Sequence, residues 1–239
     1  MGATLSIDLA SRRYAQFGIL FLADDSRAPR EIEPNELGLK DPPEAASLAA
    51  AIDQFARAAD IDVLLLDGPQ AWRYPASPIE HMRLCERVLN TPGKTGVPGE
   101  AKPKTYLTYI RFSIDLFEQL RTGFGWSLLT SDWPKHPGRR WAVEVFPSAA
   151  WSLLGIDRLP GKIRGASLES WRRALARTTG YALPSKLNHD QMQAAVVLPL
   201  GQAIHHRAQD RLILSGLDPV FEDGIVYEGL IANPRLAAS

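Results

Sequence analysis

The chain has 239 residues, 45% of them apolar and 23% charged, with 27 basic and 27 acidic side chains and a formal net charge of zero. That length lets about 70% of the unfolded surface be buried, so the fold needs no covalent staple. The lone Cys85 excludes an intrachain disulfide framework and a multi-cysteine zinc site. Zero net charge argues against an indiscriminate, strongly basic nucleic-acid binder. The charge is uneven, however: residues 1–60 carry 6 basic and 10 acidic side chains, and residues 130–180 carry 9 basic and 4 acidic. No apolar run approaches the roughly 20 residues that span a bilayer. Met1-Gly2-Ala3-Thr4-Leu5 lacks the basic start and apolar core of a secretion signal. A cytoplasmic protein without membrane contact is expected.

Thr4 to Ala10 reads as a strand, and Tyr14 to Ala23 as its hairpin partner, with Arg30 to Glu33 as a third, edge strand. Glu44 to Ala59 places Leu48, Ile52, Phe55 and Ala59 at helical spacing. Ile61 to Leu66 is an unbroken apolar run closed by Asp67-Gly68-Pro69, the pattern of a strand buried on both faces and ending at a sharp turn. Pro78 to Leu89 and Tyr106 to Leu120 read as helices, separated by a Gly- and Pro-rich loop. Trp126 to Thr130 and Trp141 to Phe146 read as strands. Ser148 to Leu154, Ser167 to Thr179 and Asn188 to about Arg207 read as helices, and Ile225 to Ala232 as a last strand or hairpin arm. This order predicts a single α/β domain over 1–239, a mixed sheet with helices on both faces and a helical insertion at about 70–122.

Acidic side chains inside a sheet core are costly unless paired or bound to a metal. Asp8 interrupts the apolar strand Leu5-Ser6-Ile7-Asp8-Leu9-Ala10, Asp67 ends Val63-Leu64-Leu65-Leu66, and Glu144 interrupts Trp141-Ala142-Val143-Glu144-Val145-Phe146. Asp190 lies in the first turn of a largely apolar helix. Each has a plain structural reading: a turn cap for Asp67, a favourable helix terminus for Asp190. If the four converge, they form a hard oxygen site suited to Mg²⁺ or Mn²⁺. Such a site can activate water against a phosphodiester.

Several short motifs in order along the chain resemble one family. They are Ser6-Ile7-Asp8-Leu9-Ala10, Leu66-Asp67-Gly68-Pro69 and Arg83-Leu84-Cys85-Glu86-Arg87, then Val143-Glu144-Val145-Phe146-Pro147-Ser148, Lys162, Asn188-His189-Asp190 and Glu222-Asp223-Gly224-Ile225-Val226. In these the chain is similar to the predicted nucleases of RNase H-like fold catalogued as domain of unknown function family four-two-nine. The resemblance implies an RNase H-like sheet with Asp8, Asp67, Glu144 and Asp190 as catalytic carboxylates and metal ligands. It departs from the family on the late helix, where Gln193 stands in place of a second acid.

Arg83 and Glu86 are i, i+3 neighbours that suit a local ion pair; the resemblance adds a second reading, that Arg83 grips a substrate phosphate. Lys162, in the turn Pro160-Gly161-Lys162, suits either a solvated lysine or a phosphate ligand. Gly93-Lys94-Thr95 ends like a phosphate-binding loop, but Val88 occupies the position that requires glycine. Adjacent His205 and His206 should diverge along one helix, and the five histidines form no zinc pattern. Cys85 should be a buried small hydrophobe. The expected function is Mg²⁺- or Mn²⁺-dependent hydrolysis of nucleic-acid phosphodiester bonds, with Asp8, Asp67, Glu144 and Asp190 at the centre and Arg83 and Lys162 on the substrate. The alternatives are a nucleotide-binding or regulatory module of the same fold with little or no hydrolysis, and a protein–protein adaptor.

Overall fold

The computed structural model describes residues 2–162 and 167–236. β1 (Ala3–Asp8) and β2 (Gly18–Leu22) are antiparallel, and β3 (Arg30–Glu31) adds at the edge of β2. α1 (Ala45–Ala58) crosses over to β4 (Ile61–Asp67), which lies parallel to β1. Next come α2 (Leu84–Leu89), a small hairpin of β5 (Lys94–Thr95) and β6 (Ala101–Lys102), and α3 (Leu107–Phe124). β7 (Ser127–Leu128) and β8 (Trp141–Val145) follow, β8 running parallel to β4. α4 (Pro147–Leu153), α5 (Glu169–Thr179), α6 (His189–Val196) and α7 (Leu198–His205) precede a long closing hairpin of β9 (Leu212–Glu222) and β10 (Ile225–Pro234). The result is an α/β architecture around a mixed eight-stranded sheet in the order β3-β2-β1-β4-β8-β10-β9, with β7 beside β8.

Alternation along the strands divides the core in two. Leu5, Ile7, Leu64 and Leu66 face α1 and α3, where Leu48, Ile52, Leu116 and Phe117 meet them. Val63, Leu65, Val143 and Val145 face the other way, against Trp151, Met192, Ala195 and Leu200. α3 is therefore part of the main core. Only α2 and the β5–β6 hairpin behave as the excursion expected over 70–122.

Several elements differ from expectation. The strand expected from Tyr14 begins only at Gly18, after a 3-10 turn over Tyr14–Gln16, and the expected Gly- and Pro-rich loop contains the β5–β6 hairpin. The helix expected from Pro78 begins only at Leu84, because His81 adopts φ +63° and Arg83 is an extended N-cap. The helix expected over 188–207 breaks at Val197, since Pro199 enters α7 with no N–H to donate and no room for a continuous turn. The strand expected at 126–130 shrinks to Ser127–Leu128. β9 carried no strand expectation at all. It is an edge strand interrupted by Gly216 and Pro219, with Leu217 and Phe221 exposed, so neither period 2 nor an apolar run marks it. No helix among the described residues is long and apolar enough to cross a membrane.

Candidate active site

Asp8 and Asp67 end adjacent parallel strands and pair directly in register. Their side chains project from one face, the face that continues through Ser6 and Leu65. Carboxyl ends of parallel strands are where sheet side chains escape packing and meet ligands. Here the strands deliver two half-buried acids side by side.

Asp190 reaches the pair on α6. Asn188 caps that helix: its Oδ1 accepts the Gln191 N–H at 2.9 Å while the Gln191 side chain accepts the Asn188 N–H at 2.8 Å. Ser6 Oγ donates to the Ala194 carbonyl at 2.8 Å and pins the helix across β1. The close approach needs Gly18, which pairs with Asp8. A Cβ at Gly18 would collide with the Asp190 carbonyl group. The sequence distance between Asp8 and Asp190 is thus closed by a cap, a buttress and a missing side chain.

The electrostatics follow from that crowding. Burial, then the Asp67 and Asp190 carboxyls in contact with it, hold the Asp8 carboxyl well above its ordinary range. Burial pushes Asp67 up to about 7, a hydrogen bond with Asp8 opposes the rise, and the charge of Glu144 adds to it. Among the described residues no cationic side chain pairs with Asp8 or Asp67. Asp190 faces Lys162, whose Nζ lies 2.5 Å from its Oδ1 with the lysine 57% exposed, and the His189 ring, whose Nδ1 lies 3.5 Å from the same oxygen. Three carboxyl groups are the oxygen-donor chemistry that hard divalent cations take. Among the described residues no three His, Cys, Asp or Glu side chains are grouped so that they could hold a metal ion as they stand; Asp8 instead meets the carboxyls of Asp67 and Asp190.

Glu144 does not join them. It pairs in register with Leu66, not Asp67, and so leaves the sheet from the opposite face. There it meets Arg83, which is 1% exposed. Arg83 Nη2 donates to Glu144 Oε1 at 2.6 Å and to Glu86 Oε1 at 3.0 Å, and Nε to Glu86 Oε1 at 3.2 Å. Its Nη1 donates to Glu144 Oε2 at 2.8 Å and to the Glu228 carbonyl at 3.3 Å. All five N–H groups are engaged, so Arg83 has none to offer a phosphate. Its expected substrate contact and the expected metal contact of Glu144 are both replaced by one buried ion-pair network. The Gln70 N–H completes it on Glu144 Oε2 at 2.9 Å.

Gln193, where an acid was expected, accepts from Trp151 Nε1 at 2.8 Å and ties α6 to α4. Arg172 and Arg173, counted in the basic stretch, both pair with Glu169; Arg164 lies outside the described residues. Cys85 is buried, as expected. His205 and His206 do not diverge: α7 ends between them, and both rings turn to Asp24, with His205 Nδ1 also 2.8 Å from Asp62 Oδ2. Sequence reading missed Tyr109, whose hydroxyl donates to the Asp67 carbonyl across the position of Gly68. An apolar-spaced helix gives no signal of that contact. Compared with protein-family models, curated proteins and solved structures, the chain matches none.

Proposed function

We propose that this protein is a divalent-metal-dependent phosphodiesterase of RNase H-like fold that acts on nucleic acid. The observation that carries the reading is the contact of Asp8 with both Asp67 and Asp190, drawn from three distant parts of the chain, with no cation on the first two among the described residues. The strand order β3-β2-β1-β4-β8, antiparallel and then parallel, supports the fold assignment. Asp8, Asp67 and Asp190 would hold Mg²⁺ or Mn²⁺, which when bound supplies an activated water and a Lewis acid for the phosphoryl oxygens. The chain's own contributions are separable. α6 sets the distance of Asp190 from the strand pair, the Tyr109 hydroxyl fixes the end of β4, and the exposed Lys162 ammonium is free to turn from Asp190 to a substrate phosphate.

The test is Mn²⁺-dependent cleavage of single-stranded and branched DNA and RNA. Asp8→Asn should abolish it while melting within a few degrees of the parent; undiminished cleavage by that variant refutes the assignment. One finding favours the second reading, a nucleotide-binding module with little hydrolysis: Glu144 and Gln193 supply no fourth ligand. Mn²⁺-dependent nucleotide binding without cleavage of any of these substrates would select it.

A further inference from the structure

Beside Asp67, between the β4 and β8 ends and the α2–α3 excursion, lies a cavity of about 360 Å³. Its walls are Tyr106, Tyr109, Phe146, Ile110 and Ile231. Its floor is the Arg83–Glu86–Glu144 network, which carries one positive and two negative charges and no free N–H on the arginine. Among the described residues, a phosphate pushed into this cavity would meet net negative charge and no free cationic donor, and ionised groups are costly to bury unpaired. A neutral, flat, partly apolar group meets the opposite conditions: aromatic walls to lie against and acceptors to find. Two polar atoms on the lining are unfilled. Thr95 is 1% exposed and its Oγ1 has no hydrogen-bond partner among the described residues. Among the described residues Glu144 Oε1 accepts only from Arg83 Nη2.

We propose that this cavity receives one nucleobase carrying an exocyclic amine, extruded from its stack, with its phosphate held outside at the Asp8–Asp67–Asp190 carboxylates. The inference rests on reading those carboxylates as the catalytic centre. The volume suits a single nucleoside and excludes a stacked pair, so the substrate is a single strand, an end or an unpaired nucleotide rather than an intact duplex. The amine would face Thr95 Oγ1 and Glu144 Oε1, and the ring would lie against Tyr106 and Phe146.

The experiment is calorimetric titration of the full chain with Mn²⁺ alone, then with adenosine and cytidine 5′-monophosphates in the presence and absence of Mn²⁺. Wild type, Ile110→Trp, which fills the cavity, and Thr95→Val, which replaces the hydroxyl with a methyl group, are compared. Both nucleotides should bind the wild type. Ile110→Trp should weaken them at least about tenfold and Thr95→Val about threefold, with Mn²⁺ affinity unchanged in both. Unaltered nucleotide affinity in both variants, with Mn²⁺ still bound, overturns the base assignment and leaves the carboxylate reading standing. Metal-independent nucleotide binding that Ile110→Trp abolishes, in a protein that binds no Mn²⁺, does the reverse. No nucleotide binding by the wild type under either condition also overturns the inference. Should Ile110→Trp not fold, Thr95→Val decides.

Discussion

Two groups of acids sit at the same end of the sheet, on opposite faces, and differ in what surrounds them. Glu144 and Glu86 are closed around Arg83, whose five donors all have acceptors. Among the described residues, Asp8, Asp67 and Asp190 have one exposed lysine and the His189 ring between them. Buried charge that is paired and fully hydrogen-bonded holds a structure in place; buried charge left unpaired destabilises its own ionised form until something binds. The contrast is between a satisfied network and a group whose charge is largely unmet, and the proposed metal chemistry rests on the second.

The contrast is broken most severely at Arg83. Arg83→Met leaves two glutamates buried without a counter-charge and should cost about 3–5 kcal/mol in a denaturant melt. Retention of wild-type stability would mean that the network is not closed as described. Gly18→Ala drives a methyl group into the backbone of α6 and should cost about 1–3 kcal/mol. It should also weaken Mn²⁺ binding, because Asp190 must retreat; a stability loss with unchanged Mn²⁺ affinity would remove Asp190 from the ligand set.

Asp67→Asn should act in the opposite direction. A carboxyl whose folded-state pKa is raised binds its proton more tightly when folded, so its penalty is absent below the ordinary carboxylate range, grows as pH rises and is complete above about 7. The metal-free protein should therefore lose stability between pH 5 and pH 8 by roughly the amount that Asp67→Asn removes. Melting curves at the two pH values measure it, and a variant no less pH-dependent than its parent contradicts the account. The smallest effect belongs to Gln193→Glu, which keeps the acceptor for Trp151 and should change melting and Mn²⁺ affinity little. A large gain in Mn²⁺ affinity would bring that position into the metal site.

Much of this was legible in the chain. β1 and β4 announce themselves as apolar runs, and Asp8 and Asp67 stand out because an acid there contradicts its neighbours. α1 and α3 follow from spacing alone. The face of Glu144 was not legible, because a one-residue step in register reverses a strand's side chains and nothing local records the register. Arg83 had a visible partner at Glu86, but its second partner lies 61 residues away, across the sheet. β9 hid because an edge strand with one exposed side needs neither alternation nor a continuous apolar run. The pairing of His205 with His206 depended on where α7 stops, at His205 with His206 as its C-cap, which nothing local in the sequence marks.

The most direct measurement is Mn²⁺ calorimetry on the parent and on Asp8→Asn at neutral pH. The account predicts saturable binding by the parent and a loss of at least about tenfold in the variant, with the melting temperature of the metal-free variant equal to or above that of the parent. A parent that binds no Mn²⁺, or a variant that binds it equally well, would show that the three carboxyls are not a cation site.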